Sequence, residues 1–495
     1  MTSRNDFSDA PIVRPPRKIA PERYRDRLDE LFQAWGAVMG RNRVLSLYYR
    51  MHNSLKDLGI SIPENLLDVN CAVGWCEKAV KTRATRSTFD GFVFNGATDG
   101  SLNELVSANR MRTLYDKAVR STLVHGLSAF TVMRGEGGQP AVKVRAYSGT
   151  QFSVLWDKDA DRIACGIVLA DVDKDGSPTK YVAHFVDAVL TFERSGAEWS
   201  CEAEPNPMGR PMMEVLAFDP DLDRPLGHSM LTPEVLGIVD KAMRDVLRME
   251  VGAEFFTFPQ RYVIGAAEDL FSIAPDGCER NEDGEYVDSQ GNVIQPVASE
   301  VAKFKAYIGA ILAISRDENG DVPTVGQFTP SSADNFTRMF ENDAQRFSGA
   351  TDVPLGQLGV MSNTYTSSEA LGAANNPLII SVEEMNRQFA GTMEEVARMM
   401  LAVQSGLPMA QLPPEKREVS AVFADPSMPT ISARADAWTK LGAADPSIVG
   451  TRVYYENIGL DQATIDRLEA EKRQNGAIAS LNRIAAAMPP GGERE

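Results

Sequence analysis

Three aspartates alternate at Asp171, Asp173 and Asp175 ahead of Gly176, which is how a loop that wraps calcium in oxygen ligands begins. The twelfth position of such a loop needs a bidentate glutamate, and here it is Val182. The flanking residues read as strands, so the segment is expected to be a hairpin turn, where Asp and Gly are common. Asp157, Asp159 and Asp161 repeat the pattern and receive the same reading. The only histidines are His52, His125, His184 and His228, scattered along the chain, and His125 sits in an uncharged run that reads as core. Neither a GxxxxGK[ST] phosphate loop nor a GxSxG or HExxH motif occurs. Cys71, Cys76, Cys165, Cys201 and Cys278 are irregularly spaced, too few and too scattered for a zinc site or a disulfide framework. No nucleophile–base pair or metal set is visible, so no enzyme, cofactor or metal is expected.

The elements around these residues say more. Tyr24, Leu28, Leu31, Phe32, Trp35 and Met39 recur at three- and four-residue steps and predict a helix from about Pro21. A second helical candidate covers Arg43 to Leu58, and Leu102 to His125 reads as one longer helix. Strands are predicted near 130–133, 142–146, 152–156, 163–170 and 181–185, separated by turns rich in Gly, Asp and Pro. Long helices are predicted from Thr232 to Phe256, from Ser331 or Ser332 to Phe347, and along Val382, Met385, Phe389, Met393, Val396, Met400 and Val403. Pro377 is expected to kink or break the last of these near its start. A short strand at 418–424 and further helices from Ala433 and Asp461 complete a helix-rich α+β chain.

With 51 basic against 68 acidic side chains over 495 residues, the chain carries a net charge of −17, which excludes a basic coat that grips nucleic acid. The charge is uneven: residues 11–50 hold nine basic and four acidic side chains, whereas residues 266–330 hold four basic and twelve acidic. From Val353 to Ser368 sixteen consecutive residues carry no charge, which is unusual for a loop inside a compact domain and often functional. The N-terminus lacks the apolar core of a secretory signal, and no apolar stretch is long enough to cross a bilayer. A protein made in the cytoplasm is expected.

Two long helices flanking an acidic insert, followed by an uncharged loop and a third long helix, resemble the portal proteins of tailed bacteriophages. The resemblance runs from about residue 20 to 475. It rests on the order and spacing of Asn206-Pro-Met-Gly-Arg-Pro211, Gly227-His-Ser-Met-Leu-Thr-Pro233, Phe258-Pro-Gln-Arg-Tyr-Val-Ile-Gly265, Ser332-Ala-Asp-Asn335, Val353-Pro354 and Ser367-Ser368-Glu369-Ala370. It implies a flexible N-terminal arm at 1–20, a wing at 21–229, a first stem helix at 230–258, a clip at 259–330 and a second stem helix at 331–350. A tunnel loop at 351–366, a tunnel helix at 367–404, a wing return strand at 405–428, and crown helices and tail at 429–495 follow. It further implies a homo-oligomeric ring of about twelve subunits at one capsid vertex, through which double-stranded DNA is packaged and ejected. The large terminase, the head–tail connector or adaptor, and the major capsid and scaffold proteins would be its partners, in the virion and during assembly in the host cytoplasm.

On the same resemblance Ser362, Asn363, Thr364, Tyr365 and Thr366 would meet the DNA as small, neutral residues. Twelve copies at −17 would give a ring near roughly −200 before screening, which repels phosphate instead of holding it. Lys241, Arg244 and Arg248 depart from that lining. They are expected to form intersubunit ion pairs with acidic neighbours, or else to touch DNA. Another ring-forming virion protein, such as a connector or minor head protein, is the alternative, and an uncharacterised hydrolase a more distant one.

Overall fold

A computed structural model describes residues 10–54, 71–94, 100–257, 261–264, 272–273, 278–281, 286–294, 297–298, 324–327, 334–360, 368–427, 431–460 and 464–475. The chain forms two compact units, Met1–Val422 and Phe423–Glu495.

The first unit is layered. Helix α1 (Arg25–Tyr49) is followed by α2 (Trp75–Arg86), β1 (Phe89–Phe94), α3 (Gly100–Ala108) and α4 (Met111–His125). Then come β2 (Leu127–Arg134), β3 (Val142–Ser148), β4 (Phe152–Asp157), β5 (Arg162–Val172), β6 (Pro178–His184), β7 (Ala188–Ser195), β8 (Glu198–Pro205) and β9 (Met213–Ala217). Strands β4 to β8 form an antiparallel meander in sequence order, and β3, β2 and β9 form a second sheet with β2 central. One face of the meander packs under α1, where Leu28, Leu31, Phe32 and Trp35 meet Ile167, Leu169, Tyr181, Ala183, Leu190 and Phe192. The other face shares a core with the second sheet through Val154, Val168 and Val182 against Ala129, Met213 and Val215. Burying each large apolar side chain of this kind contributes roughly 1.5–3 kcal/mol, which is what joins the layers.

Several expectations change here. The helix from Pro21 and the candidate at Arg43 are one helix: α1 runs through Gly36 and Gly40 and ends at Tyr49. Each internal glycine costs about 1 kcal/mol, but burial of Trp35, Met39, Asn42 and Leu45 continues across them. Trp35 Nε1 donates to the Thr150 carbonyl at 3.2 Å and Asn42 Nδ2 to that of Gly149 at 2.8 Å, so tertiary contacts hold the helix together. Met51 then leaves it at φ 58°; residues 55–70 lie outside the described residues. The helix expected from Leu102 to His125 is split at Arg110, which takes φ 51°. The cause is Asn109, whose side chain donates to the Leu105 and Val142 carbonyls and accepts from the Val144 amide, tying the break to β3. In the segment expected to be a flexible arm, residues 10–20 lie against the α1 core, with Ala10 and Ala20 buried.

Helix α5 (Pro233–Thr257) leads into the insert. There, described strand pairs nest inside one another: β10 (Arg261–Ile264) with β15 (Thr324–Gln327), β11 (Ser272–Ile273) with β14 (Val297–Ala298), and β12 (Glu279–Arg280) with β13 (Tyr286–Val287). Asp288, Gly291 and Asn292 close a turn just after the innermost pair, where Gly291-Asn292 predicts one; the other turn predicted by the sequence, Asp283-Gly284, lies outside the described residues. The stretch Val301 to Ile314, whose residues predict a helix or strand, lies outside the described residues. The chain returns as α6 (Asp334–Thr351), which packs along α5, and α7 (Ser368–Ser405) lies on the second sheet. All seven residues of the stripe from Val382 to Val403 are buried. Helix α7 continues through Pro377 without a break, and the buried stripe that follows holds it against the second sheet. Strand β16 (Val419–Phe423) pairs with β1.

The second unit contains α8 (Ile431–Ala444), α9 (Arg452–Ile458) and α10 (464–475). Asp445 and Thr451 cap its turns, and Arg452 pairs with Glu456, Asp466 and Glu469. Gly442 faces Val449 closely enough that a Cβ there would stand 2.7 Å from its methyl group.

Candidate functional site

The α5–α6 pair, the start of the uncharged loop and α7 form one connected region. Its first feature is a set of buried charges between α5 and α6. The carboxylates of Asp245 and Asp343 have no exposed surface. Lys241 Nζ meets Asp343 Oδ1 at 2.7 Å, and an Arg248 guanidinium nitrogen meets Asp245 Oδ1 at 2.7 Å. Burial raises the Asp245 pKa, and the neighbouring Asp343 pushes it the same way, while Arg248 opposes the shift. Asp240, one turn earlier, accepts the Tyr48 hydroxyl of α1 at 2.6 Å. Arg244 is half-buried. Lys241 and Arg248 thus each meet a carboxylate of their own chain, on α6 and α5. Sequence periodicity had marked these residues as a basic polar face; it carried no sign of the acidic partners that burial supplies.

The second feature is the root of the loop. Of the stretch expected to be a loop at 351–366, Thr351 ends α6, and Val353, Pro354 and Leu358 are buried around a single 3-10 turn at Leu355–Gln357. Helix α2 holds this turn. Trp75 Nε1 donates to the Leu358 carbonyl at 3.2 Å, Thr82 Oγ1 to Gln357 Oε1 at 3.1 Å, and Arg83 to the Thr351 carbonyl at 3.1 Å and Asp352 Oδ2 at 3.0 Å. The Trp75 ring lies 5.0 Å from that of Phe340 and 5.4 Å from that of Phe347 on α6. Asp352 takes φ 57°, which turns the chain out of α6 onto α2. Sequence reading missed Trp75, Thr82 and Arg83, because their partners lie about 270 residues away along the chain. Ser362, Asn363, Thr364, Tyr365 and Thr366 lie outside the described residues.

The third feature fixes α7. Ser87 donates to Asn386 Oδ1 at 2.6 Å, and Thr392 donates to the Val215 carbonyl at 3.0 Å. Arg210 bridges Glu214 at 2.5 Å and Glu395 at 2.6 Å, and Arg398 joins Glu394, Glu395 and the Arg417 carbonyl. Burial pushes the Glu214 carboxyl up to about 6 even with Arg210 beside it.

Chemistry elsewhere is quiet. Asp173 accepts the backbone amides of Asp175 and Ser177 and pairs with Arg194 at 2.6 Å, so the alternating aspartates close the β5–β6 hairpin. Asp157 does the same for Asp159 and Ala160 between β4 and β5. Among the described residues no group of three His, Cys, Asp or Glu side chains could hold a metal ion. The cysteines are free, and burial pushes the Cys76 thiol up to about 12 and that of Cys165 to about 11, far from a reactive thiolate. His125 is buried between Ser46 and Ser121, as its uncharged surroundings predicted. No described helix is long and apolar enough to cross a membrane.

A family model described as phage portal protein, SPP1 Gp6-like, matches residues 29–476. The portal protein of Mycobacterium phage D29 is 27% identical over 462 residues, covering 91% of this chain and 89% of that one. The portal protein of Mycobacterium phage L5 is 27% identical over 406 residues, covering 80% and 77%. Among solved structures, the neck of a native GTA particle computed with C12 symmetry aligns at a TM-score of 0.41 and 13% identity, covering 81% of this chain and 95% of that one. The virion of a native gene transfer agent particle aligns at a TM-score of 0.37 and 13% identity, covering 84% and 99%.

Proposed function

The chain belongs to the phage portal protein family of the SPP1 Gp6-like type, and from that premise we propose that about twelve copies form a ring at one capsid vertex and enclose the channel through which DNA is packaged and ejected. In this reading residues 21–229, with the strand at 405–428, are the wing, α5 and α6 the stem, 259–330 the clip, 351–366 the tunnel loop, 367–404 the tunnel helix and 429–495 the crown. The clip would dock the large terminase during packaging and the head–tail connector afterwards. Major capsid and scaffold proteins would contact the ring from the shell side, placing the protein in the virion after assembly in the host cytoplasm. The chain does no chemistry of its own; the force would come from a separate ATPase.

The observation that carries this reading is the joint anchoring of the loop root. Trp75, Thr82 and Arg83 hold residues 351–358 against the α5–α6 pair, which gives the start of the uncharged stretch a fixed base. A rigid base with small uncharged residues ahead of it suits a surface that DNA must pass without sticking. The experiment is imaging of the purified chain by negative stain. Rings of roughly twelvefold symmetry with a central hole are expected, and a monomer that persists at high concentration overturns the proposal.

A further inference from the structure

Acidic charge gathers at one edge of the five-stranded sheet, and basic charge gathers on the helices beyond the other edge. Strands β4 and β8 are its edges, about 19 Å apart at about 4.8 Å per strand step. Helix α1 runs across the sheet from beside β6 and β7 towards the β4 edge. Near its start the Tyr24 ring lies 4.5 Å from that of Phe185 and Arg23 pairs with Asp187 at 3.1 Å, beside β6 and β7. Towards its end Trp35 and Asn42 bond the carbonyls of Thr150 and Gly149, just before β4.

At this second end α1 packs with α2 and α4. Val44, Leu47 and Met51 stand at three- and four-residue steps and are 45%, 43% and 37% exposed. Half-buried Tyr49 feels the positive charges of Arg50, Lys81 of α2 and Arg120 of α4, so these three converge from separate elements; the acidic groups beside them are Glu77, which pairs with Lys81, and Asp116, on which Arg120 acts. Leaving out Arg83, which is buried against Asp352, residues 41–50, α2 and α4 hold nine basic side chains and two acidic ones, in a chain whose net charge is −17.

The β8 edge is the reverse. Trp199 and Cys201 turn toward the core, while Glu198, Glu202 and Glu204 are exposed. Strands β7 and β8 carry four acidic side chains, of which Glu193 pairs with Lys180, and one basic, Arg194, which Asp173 holds. No further strand pairs with β8 among the described residues. A closed ring of identical chains needs a head-to-tail contact between two different, complementary patches of one chain. We propose that the basic, apolar-striped end built by α1, α2 and α4 of one copy docks on the acidic β8 edge of the next. Opposite charge sets the register and Val44, Leu47 and Met51 supply the apolar area, since apolar burial drives association while charge mainly selects the partner. This rests on the ring reading above and assigns the surfaces that close it.

The test compares four full-length proteins for oligomer size, by mass photometry over a concentration series at low and high salt, with thermal melts as a fold control. They are the unaltered chain, Lys81→Glu with Arg120→Glu, Glu202→Lys with Glu204→Lys, and all four changes together. Each two-site variant is expected to need at least about tenfold more protein for half-assembly, with its melt unchanged. The four-site variant, and an equimolar mixture of the two two-site variants, should recover assembly, because both restore opposite charge across the contact. If either two-site variant assembles like the unaltered chain, the β8 glutamates only guard an open edge and the interface lies elsewhere. Failure of both rescues overturns the proposal equally. If Lys81→Glu with Arg120→Glu instead abolishes binding to double-stranded DNA and leaves assembly intact, the basic end serves nucleic acid. An unaltered chain that never assembles removes the ring reading itself, a result distinct from all of these.

Discussion

His184 is buried on β6, and neither ring nitrogen has a hydrogen-bond partner among the described residues. Burial lowers its pKa to about 4, and does the same for His125. An imidazole with a native pKa below its unfolded value binds its proton more tightly in the unfolded chain. Stability is therefore full above about pH 6.5 and falls as pH drops toward about 4, by about 2 kcal/mol per histidine between roughly pH 7 and pH 5. His184→Leu removes one such group together with an unpaired buried N–H, which itself costs about 1–3 kcal/mol. The variant is expected to lose less Tm than the unaltered chain between pH 7 and pH 5 in a calorimetric pH series. An unchanged pH dependence would show that His184 titrates as an exposed group does.

Among elements, the α5–α6 pair is held by charges that only work together. Lys241→Met leaves the fully buried Asp343 carboxyl without its partner, and such a loss costs about 3–5 kcal/mol. Asp245→Asn keeps an acceptor for Arg248 and removes a charge that faces Asp343, so it is expected to cost less than about 1 kcal/mol or to stabilise. Urea unfolding of the two variants separates them, and equal costs would sink this account of the pair. The helices themselves were legible at this scale because their apolar steps are long and regular, as in the α7 stripe from Val382 to Val403. Strand β7 could have been read from its alternation of Ala188, Leu190 and Phe192, which are all buried, whereas β8 could not. An edge strand with Glu198, Glu202 and Glu204 exposed carries little of the pattern that marks a strand.

For the whole molecule, the uncharged loop and its root make separable predictions. Deleting Asn363 to Thr366 leaves the contacts of Trp75, Thr82 and Arg83 untouched. Rings are therefore expected to form normally while packaging in an assembly extract falls. Undiminished packaging by intact rings would remove the tunnel-loop assignment. The charge distribution belongs to this scale too. A net −17 repels phosphate on average, yet the same chain gathers basic side chains on α1, α2 and α4.

The sequence by itself determined the helix-rich α+β class, the order of the long helices around an acidic insert, the neutral loop and the absence of a recognisable catalytic motif. These are local or compositional properties, carried by periodicity and residue type within a few turns of chain. Only the tertiary structure decided that α1 runs unbroken through two glycines, that Asn109 splits the helix before β2, that Lys241 and Arg248 find their carboxylates in their own chain, and that α2 anchors the loop. Each of these depends on a partner far away in sequence, such as Thr150 for Trp35 or Leu358 for Trp75. Burial changes the worth of a charge or a hydrogen bond only once the fold has brought its partner within reach.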